Sequence, residues 1–206
     1  MKTIGHIGII LLIIGAMSGV TYILETIHPI TLTHDALEPD YYLKNSKLYF
    51  KDAELERSKG ELALGIISLE KIRAEADTET NDLLSPSLKD LKLVYNLLPD
   101  KVDSVEQLTT PCIEVLLALT YMQIITAEEL VKAEELSKAH KAIDFAKEHV
   151  KTALQMSEGD RRESEVMIYS EMNDITSDPS MSTEYVLSKI QKIKEATRKL
   201  EVSFFH

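Results

Sequence analysis

Leucines recur every seven residues near the start of the polar part of the chain, at Leu48, Leu55, Leu62 and Leu69. A Ser-Lys-Gly-Glu segment at 58–61 interrupts the series and has the composition of a turn. A turn at Gly60 would shift the angular phase of the apolar positions, but the leucines keep one phase on both sides. The pattern therefore predicts a single helix over residues 41–76, in which Gly60 costs about 1 kcal/mol relative to alanine.

The two halves of this predicted helix differ in their apolar surface. Asp52 and Lys59 lie four residues after the first two leucines and are polar, which argues against a leucine zipper. The segment from Leu62 to Leu69 is apolar nearly all round. We therefore expect this helix to pack within an intramolecular bundle, its first half along a narrow seam and its second half inside.

Prolines and capping residues divide the rest of the chain into further helices. Ser85 and Thr110 each precede a proline, the pattern of an N-cap followed by proline at the first helical position. Ser104 and Gln107 have the spacing of a capping box. No segment shows the sustained alternation of a strand. The predicted helices cover about 41–76, 86–98, 104–109, 111–157, 160–176 and 181–203. The unusual length of the fourth leaves open a break near residues 134–138.

A second seam of small residues supports an all-α bundle of about five helices. Ala139, Ala146 and Ala153 are seven apart, a spacing that allows close helix contact. The segment 53–64 also aligns with 133–143 when one gap is allowed. Two interpretations stay open: two related helical hairpins followed by a C-terminal helix, or chance similarity between helical segments of similar composition.

An uncharged apolar stretch begins the chain. Residues Thr3 to Leu24 contain no Lys, Arg, Asp or Glu, and about 20 apolar residues are enough to cross a bilayer. The stretch predicts a membrane anchor at residues 1–25, with the membrane contact through 4–24, followed by a linker at 26–40 and a helical domain at 41–206. The alternative is a signal peptide cleaved near Ala16-Met17-Ser18.

The charges flanking this stretch predict its orientation. Lys2 precedes it, whereas the charged side chains between this stretch and Lys44 are all acidic. Because positive flanks stay in the cytoplasm, we expect the N-terminus to be cytoplasmic and the bulk of the chain to be extracytoplasmic. Gly15 and Gly19 form a GxxxG motif, which predicts pairing of two such helices in a homo-oligomer.

Composition excludes several classes of function. The net charge is −11, which disfavours nucleic acid as a partner. The single cysteine, Cys112, cannot form an intramolecular disulfide. It follows Thr110-Pro111 in what we predict as the first turn of a helix, so it is either a reactive thiol or a buried small apolar residue.

Histidines are the remaining candidates for chemistry. His140 and His149 are nine residues apart, on opposite faces of a helix. His140 shares a face with Asp144, but no metal-binding motif accompanies the pair, and His28 and His34 lie in the predicted linker. No catalytic, cofactor-binding or metal-binding residue is predicted.

Two aromatic clusters are candidates for docking or for capping the core. One comprises Tyr41, Tyr42, Tyr49 and Phe50, and the other is Phe204-Phe205-His206. We expect a non-enzymatic, membrane-anchored interaction protein, an accessory or scaffolding subunit that binds a protein partner through the exposed stripe of residues 41–61. The alternative is a secreted or periplasmic bundle that binds a ligand or metal through groups such as His140, Asp144 and Tyr121.

Overall fold

The computed structural model of the chain describes residues 33–76, 78–178 and 180–202. Within these ranges every regular element is helical, so the predicted all-α class is confirmed. A 3-10 turn at His34–Leu37 leads into seven α-helices: α1 Glu38–Lys51, α2 Leu55–Glu75, α3 Thr78–Leu97, α4 Val105–Lys132, α5 Leu136–Met156, α6 Asp160–Ser177 and α7 Thr183–Val202. The predicted anchor with Gly15 and Gly19, His28, and the C-terminal Phe204-Phe205-His206 lie outside the described residues.

The predicted single helix over 41–76 is wrong, because the chain turns between Lys51 and Leu55. Ala53 has a φ of 59°. The Glu54 N–H donates to the Tyr49 carbonyl at 2.9 Å and the Ala53 N–H to the Phe50 carbonyl at 3.1 Å, the two bonds of a Schellman motif. Gly60 lies inside α2, so the helix does continue through the segment that has turn composition.

The turn between α4 and α5 repeats this geometry. Glu134 has a φ of 61°. The Glu135 N–H donates to the Leu130 carbonyl at 2.8 Å and the Glu134 N–H to the Val131 carbonyl at 3.1 Å. The register is a constant offset of 81 residues, from Glu54 to Glu135. No gap is needed, which corrects the sequence alignment.

The buried faces of the two hairpins follow the same offset. Every buried residue of α2 corresponds to a buried residue of α5: Ser58, Leu62, Gly65, Ser68, Leu69 and Ile72 correspond to Ala139, Ile143, Ala146, His149, Val150 and Ala153. The hairpin α1–α2 and the hairpin formed by the second half of α4 with α5 are therefore built alike.

Small residues at shared positions let the paired helices approach closely. Ser46 Oγ donates to the Ser58 carbonyl at 2.9 Å, and Ser58 Oγ donates to the Ser46 carbonyl at 2.8 Å. A Cβ atom on Gly65 would lie 3.2 Å from Leu43 Cδ2. Ala139 and Ala146 occupy the equivalent positions in α5 and are fully buried.

Two prolines lie inside helices that they were predicted to start. Pro86 is within α3, which begins at Thr78, and Pro111 is within α4, which begins at Val105. The predicted boundaries at 86, 109 and 111 are therefore wrong.

The Ser104 cap is confirmed, because its Oγ accepts from the Gln107 N–H at 3.2 Å. The break left open near 134–138 occurs at residues 133–135.

Contacts between helices close two four-membered rings that share α4. In the first, α1, α2, α3 and α4 pack in sequence and α4 returns to α1. In the second, α4, α5, α6 and α7 pack in sequence and α7 returns to α4. Helix α4 is the one described helix long and apolar enough to cross a membrane, and 78% of its apolar window is buried in the bundle. That burial is typical of the core helix of a bundle.

Candidate functional site

A buried carboxylate–imidazole pair joins the two hairpins. Asp40 Oδ2, in the first turn of α1, lies 2.7 Å from His149 Nδ1 in α5. The His149 side chain is fully buried and Asp40 nearly so. Within the described part of the chain, Asp40 Oδ1 and His149 Nε2 have no hydrogen-bond partner. Asp40 belongs to a helix and not to the predicted linker, and its contact with His149 joins α1 to α5.

A second polar cluster lies at the turn between α5 and α6. Ser157 Oγ donates to Glu165 Oε1 at 2.7 Å, and Arg161 Nε is 3.6 Å from the same oxygen. Glu165 is fully buried. Burial raises the pKa of Glu165, while the Ser157 hydrogen bond and the Arg161 charge oppose that rise. Burial likewise lowers the pKa of Arg161, against the opposing effect of Glu165 and Glu114.

Two clefts flank the first turns of α4 beside this cluster. One, of about 470 Å³, has Thr109, Ile113 and Met156 in its wall together with Ser157 and Arg161. The other, of about 610 Å³, runs between α3 and α4 and includes Glu114. Burial raises the pKa of Glu114, an effect that the Arg161 charge opposes and the Asp90 charge reinforces. The cluster therefore places the Arg161–Glu165 ion pair and the Ser157 hydroxyl beside apolar side chains.

Ion pairs tie the second ring together. Glu128 of α4 accepts from Lys132 and Lys194, each at 2.5 Å, and from Gln191 Nε2 at 3.0 Å. Lys189 of α7 pairs with Glu171 and Asp174 of α6. The side-chain hydrogen bonds of those two carboxylates raise the pKa of Lys189 above its usual range. These contacts hold α7 against both of its neighbours.

The residues proposed for a ligand or metal site are distributed over different environments. Asp144 is exposed and lies 3.3 Å from Lys147, its partner in an ion pair. His140 is half-buried on α5, whereas Tyr121 is buried on α4. Among the described residues, no group of three or more His, Cys, Asp or Glu side chains could hold a metal ion.

Cys112 is a buried thiol and does not lie in the first turn of a helix. It is the eighth residue of α4, and its Sγ contacts the Leu108 carbonyl oxygen at 3.2 Å. Burial raises its pKa to about 12. The second sequence interpretation, a buried small apolar residue, is the one that the structure supports, because a thiol with that pKa is not nucleophilic at neutral pH.

The aromatic residues of α1 separate into exposed and packed groups. Tyr41 is 63% exposed and meets Tyr42 edge to face. Tyr49 lies beneath the Arg57 guanidinium, and Phe50 packs against the core. The predicted docking stripe of residues 41–61 is therefore divided between two helices.

The polar clusters include residues that sequence reasoning missed. Glu165, Ile168, Met172 and Ile175 are all buried on α6, at spacings of three and four. That spacing could have identified Glu165 as a carboxylate on an apolar face. The predicted linker includes Asp40, whereas Asp40 lies on the inner face of α1.

Comparison with known proteins adds no identification: no family model, curated protein or solved structure matches the chain.

Proposed function

We propose that the protein is a membrane-anchored, extracytoplasmic interaction protein that serves as an accessory or scaffolding subunit of a membrane complex. The apolar stretch Thr3–Leu24 supports the anchor, and the charges around it support the orientation. The helical bundle supplies a pre-formed surface that can bind a partner without large rearrangement.

The observation that carries the interaction role is a set of exposed apolar side chains on the second ring. Val166 and Met167 of α6 are 50% and 54% exposed, and Tyr185 of α7 is 47% exposed. Met167 also lines a groove of about 390 Å³ between α6 and α7, whose rim carries Lys192, Glu195 and Lys199. Exposed apolar side chains beside a groove with charges of both signs are typical of a protein-binding surface.

Purification of the full chain in mild detergent tests this role. A partner protein should co-elute with the wild type and be lost from a Val166→Glu/Met167→Glu variant. A Lys138→Glu/Lys141→Glu variant, changed at exposed positions of α5, is the control and should retain the partner. Recovery of the wild-type chain as a clean monomer would contradict the proposal.

A ligand-binding bundle is the second candidate, supported by the cleft beside Ser157 and Arg161. Glu165 Oε2 is buried without a hydrogen-bond partner among the described residues, behind two side chains that line the cleft. Native mass spectrometry of the gently purified protein should reveal a retained small molecule if this function is the correct one. Its loss from Glu165→Gln, with the helical content unchanged, would assign it to this cleft.

A further inference from the structure

We propose that the two clefts beside the first turns of α4 form one site for a small organic cation, a primary ammonium group on an apolar stem. This inference rests on the ligand-binding function given above as the second candidate, and it names the chemistry of the ligand. The two clefts adjoin, because Glu106 and Thr110 line both of them. Together they are called the α4 cleft below.

A buried carboxylate lies immediately behind the wall of this cleft. Glu165 is fully buried, and its Oε1 accepts from Ser157 and lies 3.6 Å from Arg161 Nε. Ser157 and Arg161 both line the cleft. Glu165 Oε2 has no hydrogen-bond partner among the described residues. Because a buried acceptor without a donor destabilises a fold, a ligand that donates to this oxygen would bind with a gain in free energy.

The first half of the chain indicates that the fold does not require this cluster. The offset of 81 residues extends beyond the hairpins, since buried Leu91 of α3 corresponds to buried Met172 of α6. At the same offset the three residues of the cluster correspond to uncharged ones: Glu165 to Leu84, Ser157 to Ala76 and Arg161 to Thr80. Leu84 is 1% exposed. An apolar side chain therefore occupies in α3 the place that a carboxylate occupies in α6.

The α4 cleft is short of positive charge. Its walls carry four carboxylates and two cations, namely Asp90, Glu106, Glu114 and Glu158 against Lys101 and Arg161. Glu165 behind the wall is a fifth carboxylate. Two further cations act from outside the walls, Arg162 on Glu165 and Lys47 on Glu158. Five carboxylates thus meet four cations, which favours a ligand with a positive charge.

The buried part of this imbalance centres on one guanidinium. Arg161 pairs with Glu165, and its charge also acts on Glu114. Burial raises the pKa of both carboxyl groups, and the charge of Asp90 raises that of Glu114 further. Arg162 is exposed, and its guanidinium already donates to two backbone carbonyls. A ligand ammonium would add a second positive charge where one guanidinium now serves two carboxylates.

The surroundings of these charges favour an organic cation over a metal ion. Among the described residues, no group of three or more His, Cys, Asp or Glu side chains could hold a metal ion. Apolar side chains lie beside the charged ones in both parts of the cleft: Val105, Ile113 and Met156 in one, and Leu93, Val94 and Leu97 in the other. Volumes of about 470 and 610 Å³ suit a small molecule. The carboxylates would bind the ammonium group, and the apolar walls would cover its stem.

Methyl NMR of the full chain in a non-ionic detergent, with ¹³C in the methionine methyl groups, tests the proposal. Met156 lines the cleft and reports binding, whereas Met167 lies exposed on α6 and is an internal control. The probes are n-butylammonium, the uncharged 1-butanol and the anion butyrate. We expect butylammonium alone to shift the Met156 signal saturably and to leave the Met167 signal unchanged.

Matched substitutions then locate the binding site. Glu165→Gln keeps the shape of the side chain but removes its charge, and it should weaken butylammonium binding about tenfold. Glu163→Gln, at an exposed position of the same helix, should leave the affinity unchanged. The combined Ser157→Ala, Arg161→Thr and Glu165→Leu variant carries the matching residues of the first half. It should remain helical by circular dichroism at 222 nm and bind no butylammonium. Equal effects of Glu163→Gln and Glu165→Gln would overturn the proposal.

The three probes separate this inference from the function on which it rests. If Met156 responds to butyrate or 1-butanol as strongly as to butylammonium, the cation is wrong and the cleft remains a ligand site. If Met156 responds to none of them, the cation proposal is overturned. A small molecule retained in native mass spectrometry would then still support the ligand-binding function, and its absence would contradict both.

Discussion

The carboxylate of Glu128 offers a stringent test of how the bundle is held together. Its two lysine partners are both 2.5 Å away but differ in burial: the Lys132 side chain is 60% exposed and the Lys194 side chain 22%. An exposed pair one helical turn apart contributes about 0.3–0.5 kcal/mol. A covered, charge-assisted hydrogen bond between helices contributes about 1.5–3 kcal/mol.

Double-mutant cycles should therefore give unequal coupling energies. We expect about 0.4 kcal/mol between Glu128→Gln and Lys132→Met, and about 2 kcal/mol between Glu128→Gln and Lys194→Met. Urea unfolding of the full chain in detergent, followed by circular dichroism at 222 nm, measures both. Equal couplings, or a larger value for Lys132, would refute the argument that burial, and not distance, sets the strength of these contacts.

The same carboxylate predicts a pH dependence. Burial tends to raise the pKa of Glu128, but the hydrogen bonds and charges of Lys132 and Lys194 outweigh it, so the pKa is lowered. The stability that Glu128 contributes is then complete above the pKa of the unfolded chain, about 4.3, and is lost as the pH falls through the folded value. The wild type and Glu128→Gln should differ by a constant amount between pH 6 and 8 and converge in acid.

Further substitutions test individual backbone and burial assignments. Ala53→Gly and Glu134→Gly should each stabilise the protein by about 0.5–1 kcal/mol in thermal melts, because both residues have a left-handed backbone conformation. Gly60→Ala should stabilise α2 by about 1 kcal/mol, since nothing surrounds an added Cβ, whereas Gly65→Ala should be neutral or destabilising. Cys112 should resist maleimide at neutral pH and react only in denaturant, because its pKa is about 12. Stabilisation by both Gly60→Ala and Gly65→Ala, or rapid labelling of Cys112 in the folded protein, would contradict these assignments.

The helical class followed from the sequence, but the turns did not. Leu48 and Leu55 are seven residues apart, yet a Schellman turn separates them, so Leu48 is 54% exposed while Leu62 is buried. Constant spacing proves constant phase only within one helix. The usual signal of such a turn is a glycine in the left-handed position, and here that position holds Ala53 or Glu134.

The helix starts predicted at the two prolines were wrong for a related reason. Pro86 and Pro111 follow residues that favour N-caps, so their local sequence predicts helix starts. Each lies inside a helix, and Pro111 is buried in α4, where the packing of the surrounding helices overrides the local preference. Pro86 is exposed in α3, so the local rule failed at an exposed proline as well as at a buried one.

The polar clusters could be predicted only in part. Asp40 and His149 are 109 residues apart, and nothing in either local sequence indicates that they meet. Glu165 could have been recognised as a carboxylate on an apolar helix face, but its partner Ser157 lies in a turn.

Helix α4 belongs to both rings, so the domain has no plane along which it can be divided. A break within α4 would remove one of the four helices from each ring, and the apolar faces that pack against α4 in both rings would become exposed. Proteolytic nicking there should therefore destroy the whole domain in one step, and truncation after α3 should yield no folded fragment. Although it contains two similar hairpins, the domain is expected to unfold cooperatively as one unit.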